Sequence, residues 1–303
     1  MRTLHFVPTM LLALGLCPVA FASPARAATA GAAPTSAPQA TGPWTAQHDA
    51  SPAFTPDGGT VVFTRGRGLT RRLYLARRHG DSWSTPQRAP FSNRWMDMEP
   101  AMAPDGSYLV FVSNRPANGE GKVLDGNWGG QLRPGRGGNL WRVDRVGDGW
   151  GTPRRLPDNV NASVSTFSPA VAADGSLYFV RADPSNGAFR LYRSRFVNGR
   201  YRSAQSLALG SGDATSNYDP AVAPDRSFLI FSSDRAPAVP NGGDLFIAFA
   251  AAGRWSKPAD LGLAGDEARL GPDRKTLYFS APDHRIHRIP LARWLTRRRQ
   301  AAR

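Results

Sequence analysis

Cysteine is almost absent: Cys17 is the only one in 303 residues. It falls in an N-terminal stretch that reads as a removable leader, so the remainder needs no disulfide and has no thiol chemistry. Lysine is scarce as well. Only Lys122, Lys257 and Lys275 occur, and arginine supplies the rest of a formal net charge of +15. Those arginines are scattered and accompany abundant Ala, Gly and Pro, which fits a coding bias better than a nucleic-acid footprint. The one dense run, Arg297-Arg298-Arg299 with Arg303, reads as a solvated basic tail over 296–303. No nucleic-acid partner is therefore expected, although an anionic surface outside the cytoplasm stays open. Beyond the leader, histidine is limited to His48, His79, His284 and His287. His284-x-x-His287 straddles a turn and a strand and names no third ligand, so no metal and no cofactor are expected. No apolar run is long enough to span a bilayer comfortably; the longest is Met10–Ala22.

That run has Arg2 and His5 before it and small residues after it, Ala20-Phe21-Ala22 or Ala25-Arg26-Ala27. The order fits a secretory signal peptide over 1–27, and so a periplasmic or secreted protein with no transmembrane anchor. Leu16 before Cys17 and Pro18 after it argue against a lipoprotein. Residues 28–42 are Ala/Thr/Pro/Ser/Gly without apolar periodicity and read as a flexible linker.

Glycine and proline, at 31 and 26 residues, are plentiful and recur in short groups, the mark of many turns and many short strands. One block repeats: an acidic or serine residue, Pro-Ala, two residues, then Pro-Asp-Gly or a near match. It begins at Ser51, Glu99, Ser168, Asp219 and Glu267, and its turn aspartates are Asp57, Asp105, Asp174, Asp225 and Asp273. Successive turn aspartates lie 48, 69, 51 and 48 residues apart. Apart from one stretched interval, this is close to the period of a four-stranded propeller blade, about 40–50 residues. An apolar strand follows each block, such as Val61-Val62-Phe63 or Phe228-Leu229-Ile230-Phe231. A third strand comes next, such as Leu140-Trp141-Arg142-Val143, and then an aromatic–proline element such as Trp83-Ser-Thr-Pro86. The prolines suit an outer edge strand. Pro-Asp-Gly is a turn with a mechanism, since proline pre-sets φ, aspartate bonds nearby backbone and glycine accepts a positive φ. Arg226 and Arg274 replace that glycine, which demands a different turn or some strain. The fifth unit lacks the fourth element, and Gly42-Pro43-Trp44-Thr45-Ala46-Gln47 at the start of the chain matches it. The expected fold is an all-β propeller over 43–295 with five blades of four strands, the N-terminal strand closing the last blade; six blades is the alternative count.

The Pro-Asp-Gly turn and an apolar strand ending near Ser-x-Arg, as in Ser113-Asn114-Arg115 and Ser233-Asp234-Arg235, resemble the TolB-type WD40-like propeller repeat. The resemblance covers essentially 43–295 and implies the fold. It is not specific to any member's function, so a role in the Tol system is not carried over.

The start of each first strand and the end of each second strand share one face of such a disc. That face gathers Asp49, Asp97, Glu99, Asp219, Asp266 and Glu267, with Arg65, Arg115, Arg181 and Arg235 near them. The stretched interval, Pro116–Gly138, projects there with Lys122, Asp125, Trp128, Arg133 and Arg136, either as a binding loop or as a disordered insertion. The candidate ligand funnel is therefore Asp97, Glu99, Asp219, Glu267, Arg115, Arg235 and Trp128. Ion pairs that lock neighbouring blades are the competing account of the same charges. No nucleophile–base arrangement stands out, so no catalytic residue is assigned. The function expected is a monomeric, non-catalytic binding or scaffold protein with a protein or glycan partner. The alternative is a carbohydrate-active enzyme using the funnel carboxylates.

Overall fold

A computed structural model describes residues 40–44, 48–210, 212, 215–235 and 243–301, with the backbone alone for 297–301. The expected signal segment and most of the linker lie outside these residues. The described chain folds as a five-bladed propeller of antiparallel sheets.

The turns show how the repeat encodes each blade. In all five, the aspartate Oδ1 accepts a backbone N–H two residues on, from Gly59, Ser107, Ser176, Ser227 and Lys275, at 2.9–3.0 Å. The next residue closes the turn by donating its N–H three residues back: Gly58 to Thr55, Gly106 to Ala103, Gly175 to Ala172, Arg226 to Ala223 and Arg274 to Gly271. Arg226 and Arg274 keep this same turn at φ 60° and 57°, beside 68°, 76° and 75° for the glycines. The turn type is preserved and strain is accepted.

From each turn the chain enters a second strand: Thr60–Arg65, Tyr108–Ser113, Leu177–Ala182, Phe228–Ser233 or Thr276–Ser280. These strands are apolar on both faces because each blade is covered by neighbours on two sides. Val61, Val62, Phe63, Leu109, Val110, Phe111, Leu229, Ile230 and Phe231 have no exposed surface. Burying a side chain of this size stabilises by about 1.5–3 kcal/mol. The core clusters sit between blades: Val62 and Leu73 of the first pack with Leu109 and Trp141 of the second, and Ile230 and Leu245 of the fourth with Leu277 and Ile289 of the fifth.

In the first four blades the outer edge is broken into short pieces, such as Ser82–Trp83 and Gln87–Arg88 around Pro86. The fifth has three strands, Asp266–Leu270, Thr276–Ser280 and Ile286–Pro290. The segment expected to complete it does lie at its edge, but residues 40–44 form no strand, and 45–47 fall outside the described residues. Ala40 N–H donates to Ile286 O at 2.9 Å. Trp44 plugs the seam, its indole N–H donating to Ala40 O at 2.8 Å and its ring 6.0–6.3 Å from Phe54, Phe63 and Tyr278. His48 N–H donates to His284 O at 3.2 Å, so among the described residues the ring closes through this packing and two backbone hydrogen bonds. At the other end, residues 296–301 of the expected basic tail belong to a helix, Ala292–Ala301, preceded by Leu291, which is buried with Trp294 against Leu261 and Leu263; residues 302–303 lie outside the described residues.

Candidate functional site

Each inner strand carries the same irregularity. Its pairing with the second strand slips between Ala50 and Ala53, Met98 and Ala101, Phe167 and Ala170, Tyr218 and Ala221, and Asp266 and Arg269. The residue that opens the repeat block sits inside every slip in a left-handed conformation: Ser51, Glu99, Ser168, Asp219 and Glu267 have φ 49–53°. None is glycine, so each costs about 1 kcal/mol or more. A bulge of this kind re-aims a side chain. Glu99, Ser168 and Asp219 all line one cavity on the predicted face.

These side chains also join successive blades. Glu99 N–H donates to Thr64 Oγ1 of the first blade at 2.9 Å. Glu99 Oε2 accepts from Ser168 N–H at 2.7 Å and from Ser168 Oγ–H at 3.0 Å. Ser168 Oγ also lies 2.5 Å from Asp219 Oδ1, and Asp219 Oδ2 accepts from Glu267 N–H at 2.9 Å. Ser280 Oγ–H donates to Glu267 Oε2 at 2.9 Å. Blade locking and a polar funnel are thus properties of the same residues. Glu99 Oε1 is left over: it has no hydrogen-bond partner among the described residues.

The cavity holds about 320 Å3. Its far wall comes from the insertion, which is ordered. Gly126–Trp128 and Gln131–Arg133 form a hairpin whose turn residues Gly129 and Gly130 both have positive φ, as a tight hairpin turn requires. Asn127 N–H donates to Ser165 Oγ at 2.8 Å, Gly138 N–H to Val164 O at 2.6 Å and Leu124 N–H to Asn114 O at 2.8 Å, which ties the insertion to the second and third blades. Asp125 holds Lys122 at 2.7 Å and accepts from Gly135 N–H at 2.7 Å. Trp128 meets Phe167 edge-on at 5.5 Å and lies 6.0 Å from Phe189. Met96, Met98 and Tyr218 extend the apolar wall, and Arg71 and exposed Arg136 also line the cavity.

Burial, reinforced by Asp219 and Glu267, pushes the Glu99 carboxyl up to about 7 against the opposing pull of Arg71 and Arg269. Asp266 is pushed up to about 8 by burial and then by Glu267 and Asp219. Tyr218 rises for the same reasons, burial first and Asp219 and Asp266 after it. Burial leads both carboxyl shifts, and at Glu99 the neighbouring acids outweigh the neighbouring arginines. The buried Arg269 stands where the other blades have Ala53, Ala101, Ala170 and Ala221, and donates to Pro100 O at 3.2 Å and Ala268 O at 2.7 Å.

Of the candidate funnel residues, Glu99, Asp219 and Trp128 come together around the cavity, with Glu267 beside them. Asp97, Arg115 and Arg235 are placed elsewhere. Arg115 pairs with fully buried Asp97 at 2.8 Å and lies over Phe111 and Trp141, at 5.4 and 5.0 Å. Burial raises the Asp97 carboxyl, and Arg115 opposes that rise. Arg235 donates to Asn217 Oδ1 at 2.7 Å over Phe231 and Phe246. Arg65 with Asp49, and Arg181 with Val160 O, repeat the arrangement. Arg65, Arg115 and Arg235 pair within their own blade, and Arg181 ties to the connection that leads into the third blade. Met98, Phe167 and Tyr218 had a signal that sequence reading passed over, since each immediately precedes the opening residue of the block. Arg71 and Phe189 had none.

No family model matches the chain, and no curated protein matches it. Solved structures do. A chain of a nidogen/laminin complex is 15% identical with a TM-score of 0.50, over 80% of this chain and 76% of that one. TolB from Acinetobacter baumannii is 16% identical with a TM-score of 0.48, over 80% of this chain and 54% of that one. A putative TolB from Agrobacterium tumefaciens is 15% identical with a TM-score of 0.45, over 82% and 93%. The chain spans about half the length of the Acinetobacter protein. At these identities the likeness is one of fold alone. Fold and site define the class: a five-bladed propeller with a polar and aromatic cavity at the inner-strand starts of its second to fourth blades. No helix among the described residues is long and apolar enough to cross a membrane.

Proposed function

We propose that this chain is an exported, non-catalytic propeller that binds a protein or glycan ligand at the cavity between the inner-strand starts and the Trp128 hairpin. The observation that carries the reading is the cavity itself, about 320 Å3 with four aromatic side chains, two carboxyls and two arginines around it. Pockets that mix an apolar wall with a few convergent polar groups are the usual form of a ligand site. Residues 1–27, 28–42 and 43–295 serve as export signal, linker and binding domain in this reading, and the chain acts as a monomer.

The carbohydrate-cleaving alternative has one observation in its favour, the raised Glu99 and Asp266 carboxyls. Against it, both Asp219 oxygens are occupied by Ser168 and Glu267, so the two lining acids do not offer two unengaged carboxyls. A panel of glycans and peptides screened by thermal shift tests the binding reading. A hit lost on Trp128→Ala supports it, and a hit indifferent to Trp128→Ala, Glu99→Gln and Phe189→Ala together places binding elsewhere.

A further inference from the structure

From the cavity we infer that the group it receives is an organic cation: an ammonium carried on an alkyl or aryl body. This rests on the binding reading above and adds the chemistry of the ligand. Glu99 is 7% exposed, its Oε2 is held by Ser168, and Oε1 has no partner among the described residues on the wall of the cavity. With one oxygen held and the other unengaged at the cavity wall, this carboxyl can accept from a donor carried by a bound ligand.

Charge supplies the sign of that donor. Glu99, Asp219, Glu267 and Asp266 act on one another across the centre, while Arg71 and Arg269 are the cations that oppose them at Glu99. Arg269 is turned to backbone carbonyls, and Arg71 Nη1 lies 3.2 Å from Met98 Sδ. Asp266 occupies the register position that is Met98, Phe167 and Tyr218 in the three preceding blades, so this last blade adds an acid where its neighbours add an apolar wall. On the cavity wall Arg71 and exposed Arg136 match Glu99 and Asp219 in number, while Glu267 and Asp266 act on the same centre against Arg269 alone, so an ammonium is favoured there over a carboxylate.

The remaining wall decides the body of the ligand. Trp128, Phe167, Phe189, Met96 and Met98 offer ring faces, ring edges and thioethers and few hydrogen-bonding groups, which suits methylenes or an aryl ring better than the hydroxyls of a sugar. The same rings favour a cation through their quadrupoles.

The test is calorimetric titration of the full chain at pH 8 with four probes of similar bulk. Phenethylammonium is the free arylamine, and Nα-acetyl-lysinamide is the form a partner protein presents; the tighter of the two names the source. Phenethyl alcohol and 3-phenylpropionate are the neutral and anionic controls. The expected result is an amine binding at least tenfold tighter than the alcohol and the propionate. Glu99→Gln, whose amide oxygen still accepts from Ser168, reduces that ratio to about one, and Asp266→Asn reduces it partly. Alcohol or propionate binding as tightly as both amines overturns the inference and leaves the cavity a ligand site. Failure of all four probes, with binding of a screened ligand unchanged by Trp128→Ala, overturns the site and the inference together.

Discussion

Asp97 and Glu99 are two residues apart on one strand, yet they have opposite fates. In a regular strand they would share a face. The slip after Met98 and the left-handed conformation of Glu99 itself break that alternation. Asp97 turns into its own blade, where Arg115 meets it at 2.8 Å, with Phe111 and Trp141 beneath the guanidinium. Glu99 turns to the centre, where other carboxyls outweigh the nearby cations. The first acid is spent on holding a blade together. The second joins two blades with one oxygen and keeps the other for the cavity. A formal charge of one sign at repeated positions therefore says little about role until the backbone at each position is known.

The comparison is broken most severely at the clamp. Arg115→Ala leaves Asp97 buried without its cation and should cost about 3–5 kcal/mol, measured by urea denaturation. Arg235→Ala removes the same guanidinium from a neutral partner, Asn217, and should cost less, about 1–3 kcal/mol. Equal losses in the two variants count against a charge-based clamp.

A middle-sized effect is expected at the centre, and its sign depends on pH. The Glu99 carboxyl is raised by folding, so its contribution to stability is fully present below the unfolded value, near 4.5, and is lost as pH rises through about 7. Glu99→Gln should therefore match the parent in Tm at pH 5, relative to its own baseline, and exceed it by several degrees at pH 8.5. A variant whose Tm stays parallel to the parent across this range would contradict a Glu99 carboxyl raised by folding. The smallest effect belongs to the turns. Arg226→Gly, at φ 60° and remote from both acids, should stabilise by about 0.5–1 kcal/mol once the lost Asp174 pair, an exposed contact at 2.9 Å, is allowed for.

The blades were legible because their signals are local. Pro-Asp-Gly states its turn within three residues, and the five aspartates do what that chemistry requires. Glu99, Asp219 and Trp128 were legible as cavity residues because topology alone sends the block starts and the insertion to one face. The clamp arginines were not separable from funnel arginines, since Asp97–Arg115 and Asp49–Arg65 are pairings between strands that carry no mark in sequence. The bulge was hidden too. It is encoded by the residue before Pro-Ala, and a serine or an acid there gives no hint of a positive φ. Closure was half legible: the match of Trp44 to the outer-strand aromatics located the segment, while its packing against Phe54, Phe63 and Tyr278 depends on the first and last blades at once.

Only three glutamates occur, Glu99, Glu120 and Glu267, so labelling the glutamate side-chain carboxyl carbon with 13C gives a spectrum simple enough to assign with single Gln variants. Following the Glu99 carboxyl carbon from pH 3 to pH 10 is the most direct test of an under-compensated central acid. The account predicts a titration near 7 that moves downward when phenethylammonium is added. Titration in the ordinary carboxylate range, unmoved by the amine, would contradict it.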